Sequence, residues 1–445
     1  MAQDPRLAVV QALGALHRRQ SYSNIALDEL LRTTDLSAAD RSLASRLFYG
    51  VIERRLTLDY VLSSASTVSL KKLHPLVHET LRVALYQILY MDKVPDSAAV
   101  NEAVAGVRRV KQGQASGFVN GVLRGILRRR ESLFDDLPAG DEGLSIRHSC
   151  PVELISFWRR AYGDVMTERL VAAVNETPAV FLRVNTLRTT DDIFSQKLAT
   201  LGANHQICEE LPHCFQLNCG YLLNHLASDE KNCYYYQDKA SQWACLAFGA
   251  QPGEAVADVC AAPGGKSFTI AQMMNNTGRL LSCDVYPAKC ETIDRRAEEL
   301  GITILRTAAR DASAPCPEQL RGTFDRVLCD VPCSGLGVIR RKPEIRYKEL
   351  REFDDLPALQ YRILERSAEL VKPGGVLQYS TCTLNPAEND EVAARFLREH
   401  SEFAPRVLPL DSCFAASELP PSHTITLFPP VHGTDGFFIA GFCKK

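Results

Sequence analysis

Asp258-Val259-Cys260-Ala261-Ala262-Pro263-Gly264-Gly265-Lys266-Ser267 is the stretch on which the reading of this 445-residue chain turns. It closes an apolar run at 255–260 that reads as a buried strand, and it opens a helical pattern. Small residues directly after a buried strand let a ligand approach the backbone, and the first N–H groups of the next helix are free to bind it. The glycines are not spaced as G-x-G-x-x-G, nor as a complete Walker loop, which counts against nicotinamide dinucleotides and ATP.

Downstream, apolar runs at 280–285, 302–307, 326–330 and 376–380 alternate with helical patterns. One of these helices, 356–371, is stopped by Lys372-Pro373-Gly374-Gly375. A further strand is expected at 436–442. Such alternation predicts a doubly wound, Rossmann-like α/β sheet over 241–445. Asp284 ends the second of these strands, twenty positions after Gly264, where a carboxylate can accept both hydroxyls of a ribose. Asp311 follows the third strand and is a candidate for holding an adenine amine. A ligand with ribose and adenine but no pyrophosphate fits S-adenosylmethionine best.

Toward the amino terminus the pattern changes. Residues 1–140 read as all helix: Pro5 suits a first turn, and Val77, Leu81, Ala84, Leu85, Ile88 and Leu89 recur at helical spacing. Leu43, Leu47 and Val51 repeat this spacing, as do Phe118, Val122 and Ile126. A polar stretch at 131–145, containing Pro138-Ala139-Gly140-Asp141, reads as the linker. Residues 146–240 read as a small α+β domain: Phe181-Leu182-Arg183-Val184-Asn185-Thr186 alternates like a strand, a helix at 190–201 is closed by Gly202, and Cys214-Phe215-Gln216-Leu217 is a second strand. This order is similar to RNA-recognition-type sheets.

The net charge of -2 conceals an asymmetry: residues 1–130 hold 19 Lys+Arg against 11 Asp+Glu, and the remainder 32 against 42. A basic module joined to an acidic one suits polyanion docking by the first and catalysis by the second. Arg54-Arg55, Arg108-Arg109, Lys111, Arg124 and Arg128–Arg130 are the candidate phosphate contacts, with Arg340-Arg341-Lys342 nearer the chemistry. Tyr234, Tyr235, Tyr236, Gln237, Asp238 and Lys239 are candidates for lining the entry, or for core packing.

Fifteen cysteines, no charged-then-apolar leader pattern and no apolar run of membrane-spanning length lead us to expect a reduced, cytoplasmic protein with no membrane partner. Cys208, Cys214 and Cys219 lie near His205 and His213, but no Cys-x-x-Cys pair occurs, so no metal is expected.

Two thiols stand apart from the rest: Cys333 in Asp330-Val331-Pro332-Cys333-Ser334-Gly335, and Cys382 in Ser380-Thr381-Cys382-Thr383. Each is expected where a buried strand runs out into a loop. A single cysteine at a strand end is usually a packing residue, as Cys329 is read here. Pro332, Ser334-Gly335, Thr381 and Thr383 supply a constrained, polar setting that an inert thiol does not need. Beside a methyl donor, such thiols suit covalent chemistry on cytosine, because a thiolate adding to carbon 6 makes carbon 5 nucleophilic. Asp330 is placed to touch ring N3 and the exocyclic amine, and Lys266 to lower a thiol's pKa or touch a phosphate.

From about Phe181 onward these motifs, together with Asp435-Gly436-Phe437-Phe438, resemble the RNA cytosine-5 methyltransferases of the Nol1/Nop2/Sun class. The resemblance implies that Cys382 is the nucleophile and that Cys333 assists product release. It also implies that Cys260, Ala261, Ala262, Pro263, Gly264, Gly265, Lys266, Asp284, Asp311 and Asp330 contact S-adenosylmethionine or the reacting base. Asn101-Glu102-Ala103-Val104 and Phe118-Val119-Asn120-Gly121-Val122-Leu123-Arg124 resemble the NusB-type RNA-binding fold. That module order is similar to the branch of the class that methylates cytosine 967 of 16S rRNA. The implied partner is therefore 16S rRNA free of most ribosomal proteins, without DNA, acted on by a monomer. Two rivals stand beside this reading: the same chemistry on another rRNA or tRNA site, and a non-catalytic RNA-binding assembly factor. Tyr347 and Ile439 depart from a tryptophan and a tyrosine common in the class, and are expected to affect RNA contacts only.

Overall fold

The computed structural model describes residues 4–19, 23–218, 222–223, 226, 230–410 and 422–445. The chain forms two compact units, one running to Glu176 and including Ile339–Leu350, the other holding Thr177–Val338 and everything from Arg351 on. Cys219 lies outside the described residues.

The first unit is helical: α1 (Pro5–Arg19), α2 (Ser23–Thr33), α3 (Ala38–Glu53), α4 (Arg55–Ala65), α5 (Pro75–Tyr90), α6 (Asp96–Arg109), α7 (Ser116–Arg128), α8 (Asp141–His148) and α9 (Val152–Ala173). Apolar positions recurring every three to four residues put Leu47, Phe48, Val51, Leu81, Leu85, Val119, Leu123 and Ile126 into one core. Ser37 caps α3 by accepting from the Asp40 amide, and Pro75 occupies the first turn of α5. Within the stretch read as a linker, Gly140, at φ 69°, opens α8.

Ile339–Leu350 belongs to this unit although it follows the Cys333 loop in sequence. Its Arg346, 2% exposed, donates to the carbonyls of Glu53 (3.2 Å), Ser149 (3.3 Å) and Val174 (2.9 Å), and to Asn175 Oδ1 (2.9 Å). These acceptors lie at the ends of α3, α8 and α9, where helix carbonyls have no internal partner. The Tyr347 hydroxyl donates to the Ile52 carbonyl at 2.9 Å, and the Arg55 guanidinium stacks 3.7 Å from the Tyr347 ring centroid. Ser23 Oγ donates to Glu344 Oε2 at 2.7 Å. The segment is a strap against the helical core, in which Tyr347 and Arg55 are both partly buried. Arg340, its side chain 10% exposed, lies 3.9 Å from Glu176.

The second unit begins with a four-stranded antiparallel sheet. Its elements are β1 (Val180–Val184), α10 (Asp191–Thr200), β2 (His205–Ile207), β3 (Cys214–Leu217) and β4 (Tyr234–Tyr236), in strand order β2-β3-β1-β4. Tyr234 and Tyr235 are buried, Tyr236 is exposed, and Lys239 pairs with Glu210.

The larger sheet is built from α11 (Lys239–Phe248), β5 (Ala255–Asp258), α12 (Gly265–Met273), β6 (Arg279–Asp284), α13 (Pro287–Leu300), β7 (Leu305–Ala309), β8 (Phe324–Asp330), α14 (Leu356–Ala368), β9 (Val371–Thr381), α15 (Asp390–Glu399), β10 (Phe403–Pro405), β11 (Thr424–Leu427) and β12 (Phe437–Lys444). Strand order is β10-β12-β9-β8-β5-β6-β7, with β11 on β12. The five strands from β5 to β9 are parallel, and β10, β11 and β12 run antiparallel at one side. The sheet is thus doubly wound and mixed. β7 starts later than the apolar pattern suggests, because Asn276 Oδ1 accepts the Thr303 amide and holds it in a loop. Chain order reverses between β5 and β8, which puts a crevice at the carboxyl ends of these strands.

Candidate active site

Four segments converge at that edge: the glycine loop after β5, the ends of β8 and β9, and the turn before β12. Gly264 adopts φ 107°, and a Cβ there would lie 2.5 Å from the Phe268 ring, so the turn requires glycine. Beneath the loop, Ser282 Oγ donates to Ser267 Oγ (2.9 Å) and Ser267 Oγ to Asp258 Oδ2 (2.7 Å). Asp258 is buried, its Oδ1 has no partner, and burial pushes its carboxyl up to about 7. Cys260 is partly buried, its thiol pushed well up by burial. Asp284 ends β6, with Oδ1 accepting the Tyr286 amide at 3.1 Å and Lys289 at 3.5 Å. Asp311 is exposed just past β7; the Ser313 hydroxyl and amide hold its carboxyl low.

Asp330 is the last residue of β8. Its Oδ2 accepts from Lys266 Nζ at 2.6 Å and its Oδ1 from Ser380 Oγ at 2.8 Å, across the parallel pairing with β9. Burial opposes the charge on Lys266, but Asp330 outweighs it and raises the ammonium above its ordinary range. That ammonium also lies 5.2 Å from the Phe437 ring centroid and feels Cys382.

The two singled-out thiols meet: Cys333 Sγ and Cys382 Sγ are 3.3 Å apart, both partly buried. The hydrogen bond with Cys382, and after it burial, pushes the Cys333 thiol well up. Cys329 is a core thiol, raised to about 12 by burial.

What aligns the pair is a polar scaffold that the sequence reading overlooked. Buried Glu388 accepts from the Ser334 amide (2.9 Å), Gln360 Nε2 (2.8 Å) and Asn385 Nδ2 (2.9 Å). Ser334 and Thr383 hydroxyls are 2.6 Å apart, and Asn389 Nδ2 donates to the Thr383 carbonyl at 3.0 Å. Glycine closes the arrangement. The Gly337 amide donates to the Cys382 carbonyl (3.1 Å) and the Gly436 amide to the Gly337 carbonyl (2.9 Å); a Cβ on Gly337 would stand 2.0 Å from the Gly436 oxygen. The Asp435-Gly436 motif is therefore a close backbone approach that fastens the Cys333 loop to the Cys382 loop. Asn385-Pro386-Ala387-Glu388, with an acid beside a turn, was the visible hint of the scaffold.

A cofactor crevice at the switch point of a doubly wound sheet, with paired thiols beside it, is the architecture of a methyltransferase domain. Residues 245–443 match the family model for 16S rRNA methyltransferase RsmB/F, residues 3–128 that of the NusB family, and residues 141–221 a ferredoxin-like domain of RsmF/B-like methyltransferases. The chain is 36% identical over 441 residues to the "Probable ribosomal RNA small subunit methyltransferase B" of Bacillus subtilis, covering 98% of each. It is 30% identical to ribosomal RNA small subunit methyltransferase B of Escherichia coli, covering 96% of this chain and 95% of that one. The solved structure of PH0851 superposes with a TM-score of 0.80 at 25% identity, covering all of both chains. The chain belongs to the ribosomal RNA small subunit methyltransferase B family. S-adenosylmethionine is the cofactor of such a family, and the residues present fit it: a glycine turn that admits no Cβ, a carboxylate ending β6, and α12 opening onto the crevice.

Among the described residues no cluster of three or more metal-binding side chains occurs, and no helix is long and apolar enough to cross a membrane.

Proposed function

We propose that this chain methylates carbon 5 of a cytosine in 16S rRNA, position 967 by family likeness, through a transient bond between Cys382 and carbon 6. The sulfur pair carries the reading: Cys382 Sγ and Cys333 Sγ lie 3.3 Å apart, so one sulfur can add to the base with the other in contact with it, and family likeness gives the attack to Cys382. When bound, S-adenosylmethionine supplies an electrophilic methyl group. The Cys382 thiolate adds to carbon 6, the ring's electron pair shifts to carbon 5, and carbon 5 gains the methyl. Loss of the carbon-5 proton to solvent then restores the double bond and expels the Cys382 sulfur as its thiolate. Cys333, in contact with that sulfur, is assigned to this release. Asp330, held by Lys266 and Ser380, is assigned to the exocyclic amine and N3 of the ring, and Lys266 keeps that carboxylate oriented. The base must leave its stack to meet the thiol, which favours an unpaired site in rRNA carrying few ribosomal proteins.

The test is transfer of labelled methyl to protein-free 16S rRNA, with the modified base mapped. Cys382→Ala should abolish transfer, and Cys333→Ala should accumulate a protein–RNA adduct. Transfer that survives Cys382→Ala would refute the nucleophile. Modification of another RNA would move the substrate, and no transfer to any RNA would favour an assembly role.

A further inference from the structure

We propose that Gln237 is a cofactor-binding residue, gripping the carboxylate at the amino-acid end of the methyl donor together with the N–H groups that open α12. The assignment rests on the methyl-donor reading above. Gln237 directly follows β4 and is 7% exposed. A hydroxyl network holds its amide: Gln272 Nε2 donates to the Tyr235 hydroxyl (3.4 Å), that hydroxyl lies 2.8 Å from Thr269 Oγ1, and Thr269 Oγ1 has both Gln237 Oε1 (2.8 Å) and the Gly265 carbonyl (3.0 Å) as acceptors. With Oε1 turned to the Thr269 hydroxyl, the nitrogen faces the other way. There Nε2 is buried with no acceptor. Buried donors are nearly always satisfied, so an idle one in an ordered network marks a place for a ligand.

The place is defined by Gly265, because a Cβ on that residue would lie 3.7 Å from Gln237 Nε2. Gly265, Lys266 and Ser267 form the first turn of the nine-residue α12, whose amides have no intrahelical acceptor. Lys266 Nζ is occupied by Asp330 and Ser267 Oγ by Asp258. What remains is a set of donors alone: the amide nitrogen and the helix N-terminus. Such a set takes an anion, and the carboxylate is the one anionic group of S-adenosylmethionine.

The experiment compares two ligands on the full-length protein by calorimetry. S-Adenosylhomocysteine carries the amino-acid end; 5′-methylthioadenosine has the same nucleoside and sulfur without it. Gln237→Met should weaken the first about ten-fold, the worth of a hydrogen bond to a charged group, and leave the second within about two-fold. Gln237→Glu keeps the size and the Thr269 contact but points an oxygen at the carboxylate, so its selective loss should be larger. Equal losses for both ligands, or no loss for either, would overturn the assignment. An unaltered protein that binds neither ligand would remove the methyl-donor reading itself, and Gln237 with it.

Discussion

Arg346→Met tests whether the strap is integral to the helical unit. Methionine retains most of the apolar stem but removes the guanidinium from four acceptors, the Glu53, Ser149 and Val174 carbonyls and Asn175 Oδ1, leaving the Tyr347 hydroxyl within 3.2 Å of the Ser149 carbonyl and 3.5 Å of the Glu53 carbonyl. A buried acceptor left unpaired costs about 1–3 kcal/mol. Taking about 2 kcal/mol each for the Val174 carbonyl and Asn175 Oδ1, little for the two carbonyls that Tyr347 still reaches, and returning part for the charge no longer buried, the loss is about 3 kcal/mol. For a unit of this length that is a fall in melting temperature of roughly 10 °C. Trp158, buried on α9, reports this unit directly once Trp243, the second of the chain's two tryptophans, is replaced by phenylalanine. Urea unfolding followed by Trp158 fluorescence should show an earlier midpoint for Arg346→Met. Arg346→Lys should recover only part, because one ammonium cannot span four acceptors. A loss under about 1 kcal/mol would refute the keystone role, since that is less than one unpaired acceptor.

Two further outcomes are expected from the second unit. Asp258 has a folded pKa raised from 3.8 to about 7 by burial, so the native state holds a proton that the unfolded chain releases earlier. Its stabilisation is fully present below about pH 4 and disappears as pH rises through 7. Urea midpoints should fall across that window, and Asp258→Asn should flatten the fall; an unchanged slope would remove Asp258 from the account. Gly337→Ala places a Cβ 2.0 Å from the Gly436 oxygen. It should destabilise the unit by about 1–3 kcal/mol and slow release of the RNA adduct, read by denaturing electrophoresis; unaltered stability and turnover would show the backbone approach to be dispensable.

The two units differ in how much of each was legible in the sequence. The glycine loop, the carboxylate ending β6 and the thiols at two strand ends could be read because each lies in a local pattern: apolar run, small-residue turn, then polar residues. The helices announced themselves through the spacing of Leu81, Leu85 and Ile88. What stayed hidden was set by partners distant in sequence. Arg340-Arg341-Lys342 reads as a candidate phosphate contact near the chemistry, and nothing in that run shows that the segment it opens sends Arg346 to helix ends more than 170 residues away. Glu388 is an ordinary loop acid until Ser334 and Gln360 fold onto it. The short β10 and β11 owe their existence to pairing with β12 rather than to any pattern of their own.

The strap also bears on how the protein is made. Ile339–Leu350 leaves the ribosome long after α1–α9, so during synthesis those helices wait with the carbonyls at the ends of α3, α8 and α9 short of their guanidinium partner. A nascent chain released before Arg346 would carry α1–α9 and an unfinished interior. Completion of the amino-terminal module is thereby tied to translation having already passed the Cys333 codon.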